Sequence, residues 1–127
     1  MVTSTKIDRL TRLILKALKM PNADVGVFFL PNAELRRLKR QFLKQDRTYV
    51  DVLAFPEPKG FPHPEARIRF LGEVYLNSGL RRKPRELAEI LLHGILHLAG
   101  YRHQKKDDNI RMQRRAKHIW AQIFWLV

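Results

Sequence analysis

Residues 84–103 read PRELAEILLHGILHLAGYRH and hold three of the five histidines of a 127-residue chain. Pro84 suits the first turn of a helix, where a missing N–H costs nothing. Gly100 suits its C-terminal end. Between them Leu87, Ile90, Leu91, Leu92, Ile95, Leu96 and Leu98 run almost all round the helix. This predicts a central, buried helix around which the rest of the chain is arranged. His93 and His97 are four apart, so both project from one face, one turn apart. Two neighbouring imidazoles in such apolar company need a purpose, because an unpaired polar group is costly there. Gly94, between them, costs roughly 0.5–1 kcal/mol of helix stability relative to alanine. It leaves room for backbone or substrate. A turn at Gly100 and Tyr101 brings His103 alongside the first two. His93, His97 and His103 then offer three neutral nitrogen ligands and an open fourth position, the pattern of a catalytic zinc site. The competing reading is three unrelated histidines. His63, in the proline-rich loop, reads as a surface residue, with contact to substrate the lesser alternative, and His118 as structural or solvent-facing.

Working outward, residues 5–19 place Ile7, Leu10, Leu13, Ile14 and Leu18 on one stripe, a surface helix with a basic outer face. Residues 24–30 form a short strand. A helix follows from Asn32 to Lys44, with Asn32 as N-cap and Leu35, Leu38 and Phe42 turned inward. A second strand spans Tyr49 to Phe55. The stretch PEPKGFPHPEA is a loop. A third strand spans Arg67 to Asn77. Its Gly72 marks a bulge, a turn between two short strands, or a close approach to the backbone. Asp107 or Asp108 starts a last helix, basic early and apolar at its end. Alternating strands and helices predict a three- or four-strand sheet packed with helices, an α+β chain with residues 1–127 as a single domain.

Cysteine is absent, which excludes disulfides and thiolate metal sites. Neither a signal-peptide pattern nor an uninterrupted apolar run of about 18 residues is present, so the expectation is a cytoplasmic protein with no membrane association. With 25 basic against 12 acidic residues, the net charge of +13 favours a polyanionic partner, nucleic acid ahead of acidic lipid.

The histidine spacing departs from the zinc-protease HExxH pattern at its decisive place, since Gly94 stands where the glutamate base would be. The segment HGILHLAGYRH instead resembles the signature of the YbeY family, HGxLHLxGYDH, with Arg102 in place of the aspartate. Upstream, LKRQFLKQDRTYVDVLAFP, from Leu38 to Pro56, resembles the family's LNRxY…D…TDVLSFP. Arg40, Asp46, Asp51, Val52, Leu53, Phe55 and Pro56 match. LGEV, with Glu73, resembles LGDI, and Met112 matches a methionine nine residues beyond the last histidine. The resemblance covers roughly residues 24–115. Departures are Lys39 for asparagine, Ala54 for serine, Ala116 for glutamate and one extra residue between Asp46 and Asp51. Arg102 matters most: arginine cannot accept a hydrogen bond or a proton, but it can bind phosphate.

The resemblance implies a zincin-like fold, a small mixed sheet with a buried metal-bearing helix. It implies one zinc per chain on His93, His97 and His103. It implies a metal-dependent endoribonuclease of rRNA maturation, processing the 3′ end of small-subunit rRNA and serving ribosome quality control. Its partners would be rRNA, the small subunit, ribosomal proteins and a ribosome-associated GTPase. Arg40 and Glu73 are the catalytic candidates on matched positions. Arg40 would meet the scissile phosphate. Glu73 would support the metal ligands or be a structural carboxylate. Arg102 and Lys105 are further phosphate contacts. Either hydroxide attacks phosphorus, or the RNA 2′-hydroxyl is deprotonated. A positive groove would be built from Lys39, Arg40, Lys44 and the run RRKPR at 81–85. Two other readings stand beside this one: a non-catalytic ribosome assembly factor with a structural zinc, and a zinc peptidase or other hydrolase.

Overall fold

The computed structural model describes residues 1–58, 68–101 and 106–127, without the side chains of Lys106 and Leu126. Helix α1 is Ser4–Ala17, capped by the Thr3 hydroxyl, which accepts from Lys6 N–H. Strand β1 is Ala23–Leu30, helix α2 Asn32–Leu43, strand β2 Val52–Pro56 and strand β3 Arg69–Asn77. A 3₁₀ turn, Ser78–Arg82, leads into α3, Pro84–Leu98, and α4 is Lys106–Ile123. Among the described residues the sheet has three strands in the order β1-β3-β2, parallel between β1 and β3 and antiparallel between β2 and β3. The fold is α+β with a mixed sheet, at the lower of the two expected strand counts.

The two sheet faces do different work. Val74 and Leu76 point toward α3 and join the main core with α1 and α4. Tyr75, Leu53 and Phe55 point the other way, toward α2, where Leu35 is fully buried. Gly72 sits within one continuous strand, so the alternative of a turn between two strands is excluded. At its position the β1 register slips, with Asp24 opposite Phe70 but Val25 opposite Gly72. Its φ of +143° suits glycine alone, and an added Cβ would lie 2.3 Å from the Phe55 carbonyl oxygen. Bulge and close approach therefore coincide there.

Two local expectations change. Asn32 does not cap α2, whose N-cap is Pro31. Its side chain reaches the later chain instead, accepting from Val50 N–H at 2.9 Å and donating to the Thr48 carbonyl at 2.8 Å. Buried Asn77 completes the clamp, donating to the Val50 carbonyl at 3.0 Å. Phe42 is not turned inward. It is 58% exposed and meets the Phe55 ring edge-on from the last turn of α2. The C-terminal apolar stretch divides: Ile123 is buried, while Phe124 and Trp125 face out.

Candidate active site

α3 is seated on the sheet by its glycine. A Cβ on Gly94 would stand 3.2 Å from Val74 Cγ1 and 3.7 Å from Val52 Cγ2, so helix and sheet backbones pass close together there. The room Gly94 leaves is taken by the sheet. From Leu91 to Leu98 every residue is buried except His93 and His97. The two imidazoles are not enclosed by apolar neighbours, as the count of leucines and isoleucines suggests. They lie on a narrow exposed stripe with Glu86, Glu89 and Gly100, spaced three or four apart. The stripe is one residue wide, which is why the helix looks apolar nearly all round.

His93 is held in one orientation. Its Nδ1 donates to the Glu89 carbonyl at 2.8 Å. A carbonyl only accepts, so Nδ1 carries the proton in this bond, and Nε2 is the nitrogen left for a ligand. This is how protein backbone fixes the tautomer of a metal-ligating histidine. The exposed, same-face imidazoles of His93 and His97 thus fit a zinc ion. His103, Arg102, Lys105 and His63 fall outside the described residues. Among the described residues no three histidine, cysteine or acidic side chains form a ligand group.

The described candidates beyond this pair come from other elements. Glu73 lies on β3, the central strand and not the sheet edge, and its side chain points to the α2 face. There it accepts a hydrogen bond from the Tyr75 hydroxyl. The sheet stands between Glu73 and α3. The bond to Glu73, then burial and the carboxylate charge, push the Tyr75 pKa up to about 12. Arg40 is exposed on the last turn of α2, which reaches β2, the strand that Gly94 of α3 approaches. The 81–85 run does not flank the histidines. Pro84 precedes His97 by about 20 Å of helix. Arg81 lies 4.3 Å over the Phe29 ring, and Lys83 pairs with Glu86 at 3.8 Å. His118 is exposed and accepts from the Gln122 amide at 3.2 Å.

A cavity of about 430 Å³ opens beyond the C-terminal end of α3, lined by Ala99, Gly100, Tyr101, Asp108 and Arg111. Arg111 had no sequence signal of its own. It is one of several arginines on α4, and only the packing of α4 beside the end of α3 singles it out.

The comparisons with known proteins agree with the motif. A family model described as Endoribonuclease YbeY matches residues 2–123. The Endoribonuclease YbeY of Aquifex aeolicus is 32% identical over 116 residues, covering 84% of this chain and 74% of that protein. That of Thermotoga neapolitana is 28% identical, covering 96% of this chain and 78% of its own. The solution structure of TM1509 from Thermotoga maritima matches with a TM-score of 0.53 at 26% identity, covering 96% of this chain and 87% of that one. A stretch from Leu91 to Leu98 that buries all but its two histidines, and a match that spans nearly the whole length, lead to one assignment: the chain belongs to the endoribonuclease YbeY family.

Proposed function

We propose that this protein is a zinc-dependent endoribonuclease of rRNA maturation, acting at the 3′ end of small-subunit rRNA and in ribosome quality control. The observation that carries the reading is the exposed His93–His97 pair, with His93 Nδ1 tied to Glu89 and Nε2 left to bind. His103 is the third ligand in this proposal, and each chain holds one ion. Zinc held there would lower the pKa of water toward about 7 and polarise a phosphoryl oxygen.

The chain's own residues supply position and charge. Glu89 orients the His93 ring. The packing of Gly94 against Val74 and Val52 fixes the height of the pair above the sheet. Arg40, Arg102 and Lys105 bind the phosphates flanking the cut, and Arg111 reaches the cavity at the end of α3 from α4. Small-subunit rRNA, ribosomal proteins and a ribosome-associated GTPase are the partners, in the cytoplasm.

The test is cleavage of a defined small-subunit rRNA precursor by purified protein, with and without chelator, beside a His97→Ala protein. Cleavage is expected to fall on the order of 10²-fold or more in both treated samples, because hydroxide supply at neutral pH depends on the metal. Equal cleavage in all three samples would point to contaminating ribonuclease and leave the assembly-factor reading in its place.

A further inference from the structure

The two edges of the sheet are built differently. β2 is five residues long and ends in Pro56, which has no N–H to offer a further strand. β1 runs eight residues, ADVGVFFL, and its one charge is Asp24, in the second position. Three bonds show which way its backbone faces. Arg69 N–H donates to the Asn22 carbonyl at 2.8 Å, so that carbonyl points to β3. The next carbonyl, of Ala23, points away and accepts from Arg12 at 3.0 Å. Val25 N–H points away as well and donates to the Asp24 carboxylate at 2.8 Å. Alternation along the strand then turns Val25 C=O, Val27 N–H and C=O, and Phe29 N–H outward. Among the described residues β1 pairs with β3 alone, so these groups have no strand beside them. Arg12 and Asp24 close the start of this edge, and the rest is open.

An open apolar edge is a template for another strand, and this one matches itself. Two β1 strands set antiparallel with Val27 on a two-fold axis form a hydrogen-bonded pair at Val27. Phe29 N–H of each then meets Val25 C=O of the other. On the α2 face Phe28 falls opposite Gly26 of the second copy, so no second side chain crowds the pair. The Phe28 ring leans over its own Gly26, 2.9 Å from where a Cβ would lie, and the residue is 46% exposed. The two rings become diagonal neighbours across the seam. On the opposite face the charges match. Val2 N–H donates to the Arg81 carbonyl, and the Arg81 guanidinium lies over Phe29, so α1 starts at the Phe29 end of β1. It reaches Arg12 at the Ala23 end. Asp8, one turn before Arg12, lies about 6 Å back along the helix, level with Val25. Neither Asp8 nor Arg81 has an ion-pair partner among the described residues. The two-fold axis puts Val25 beside the other copy's Phe29, and so Asp8 beside the other copy's Arg81. The net charge of +13 on each copy opposes pairing, but at about 0.15 M salt screening beyond about 8 Å leaves the contacts at the seam to decide. We infer that two copies of this chain join through β1 into one continuous sheet, with an Asp8–Arg81 ion pair at each end of the seam. α3 approaches the sheet at Val74 of β3 and Val52 of β2, away from this edge, so the histidines of both copies stay clear of it.

Sedimentation velocity from about 1 to about 200 µM chain tests it, since a seam this small is expected to dissociate in the range of ~10–100 µM. Wild type should pass from monomer to dimer across that range. Val27→Pro removes one outward N–H, which an edge strand tolerates, and should stay monomeric with an unchanged circular dichroism spectrum. Asp8→Arg and Arg81→Asp should each weaken the dimer about tenfold, and the two together should recover most of it. The chain has no cysteine, so Val27→Cys supplies one thiol per copy. On the axis the two Cα atoms stand about 5.5 Å apart, within disulfide reach, so this variant should cross-link on oxidation. Ala33→Cys, exposed on α2, should not. If Val27→Pro unfolds, the charge swap and the cross-link decide. A wild type that is monomeric throughout overturns the proposal. So does a dimer that Val27→Pro and both single charge reversals leave intact, which would use another surface. An alternating Val–Glu peptide that binds monomeric wild type but not Val27→Pro would give the edge to a foreign strand, and would overturn the second copy as its occupant. None of these readouts depends on RNA cleavage, so the seam and the endoribonuclease reading stand or fall separately.

Discussion

On the sheet, Tyr75 is tied to Glu73 by a hydrogen bond between their side chains. The tyrosine ring stacks on Phe28 at 5.4 Å and meets the Phe55 edge at 5.8 Å, which holds its hydroxyl at the Glu73 carboxylate. Ionising the tyrosine would break that bond and set two negative charges together, so its pKa is pushed up to about 12. The folded chain holds this proton more tightly than the unfolded chain, whose tyrosine titrates near 10. The pair's contribution to stability is therefore complete below about pH 10 and is lost as the pH rises through about 12. Ultraviolet absorbance titration should show one late tyrosine, and Glu73→Gln should bring its midpoint back toward 10. A late tyrosine that persists in Glu73→Gln would assign the shift to burial alone. Residues two apart on a strand share a face, so the adjacency was legible. That the hydroxyl claims the carboxylate was not, because it depends on rings brought in from β1 and β2.

At the scale of elements, α3 is held at a fixed distance from the sheet by one missing methyl. Val74 is fully buried and β-branched, so it cannot swing away from a new Cβ on Gly94. Gly94→Ala would gain about 1 kcal/mol of helix propensity. The overpacking costs about 1–3 kcal/mol. A net loss of about 1 kcal/mol is expected, read as a lower urea midpoint with an unchanged slope. Asn77→Ala removes the amide that holds Val50 and accepts from Gly79 N–H at 2.9 Å. Leaving the buried Val50 carbonyl without this partner should cost about 1–3 kcal/mol in the same measurement. The helices and strands themselves were legible, because Pro84, Gly100 and the apolar spacings are local signals. Asn32 was misread for the opposite reason. Its partner Val50 lies 18 positions on, and a residue at a helix start looks like a cap until the chain returns to it. Phe42 falls on the inward side of α2 by spacing, but it sits in the last turn, past the edge of what α2 covers.

Over the whole molecule the net charge is +13, and among the described residues the basic side chains are spread over α1, α2, α4 and the entry to α3. RNA affinity should therefore fall steeply with salt, with a log–log slope of about 4 if six single-strand phosphates are contacted. A slope near zero would mean that the charge is only a solubilising coat. The spacing of His93 and His97 was fully legible, since a helix dictates it. Their exposure and the separation of Glu73 from them were not, because both depend on which side of a sheet each element takes. The burial of α3 also sets an order of events. Its packing runs along the face away from His93 and His97, so the helix reaches its place with no ion present. A zinc finger folds only around its metal. If the proposed zinc site holds, it would be built first and loaded afterwards, so chelator-treated protein should still melt in one cooperative transition and should take up zinc from solution without passing through the unfolded chain.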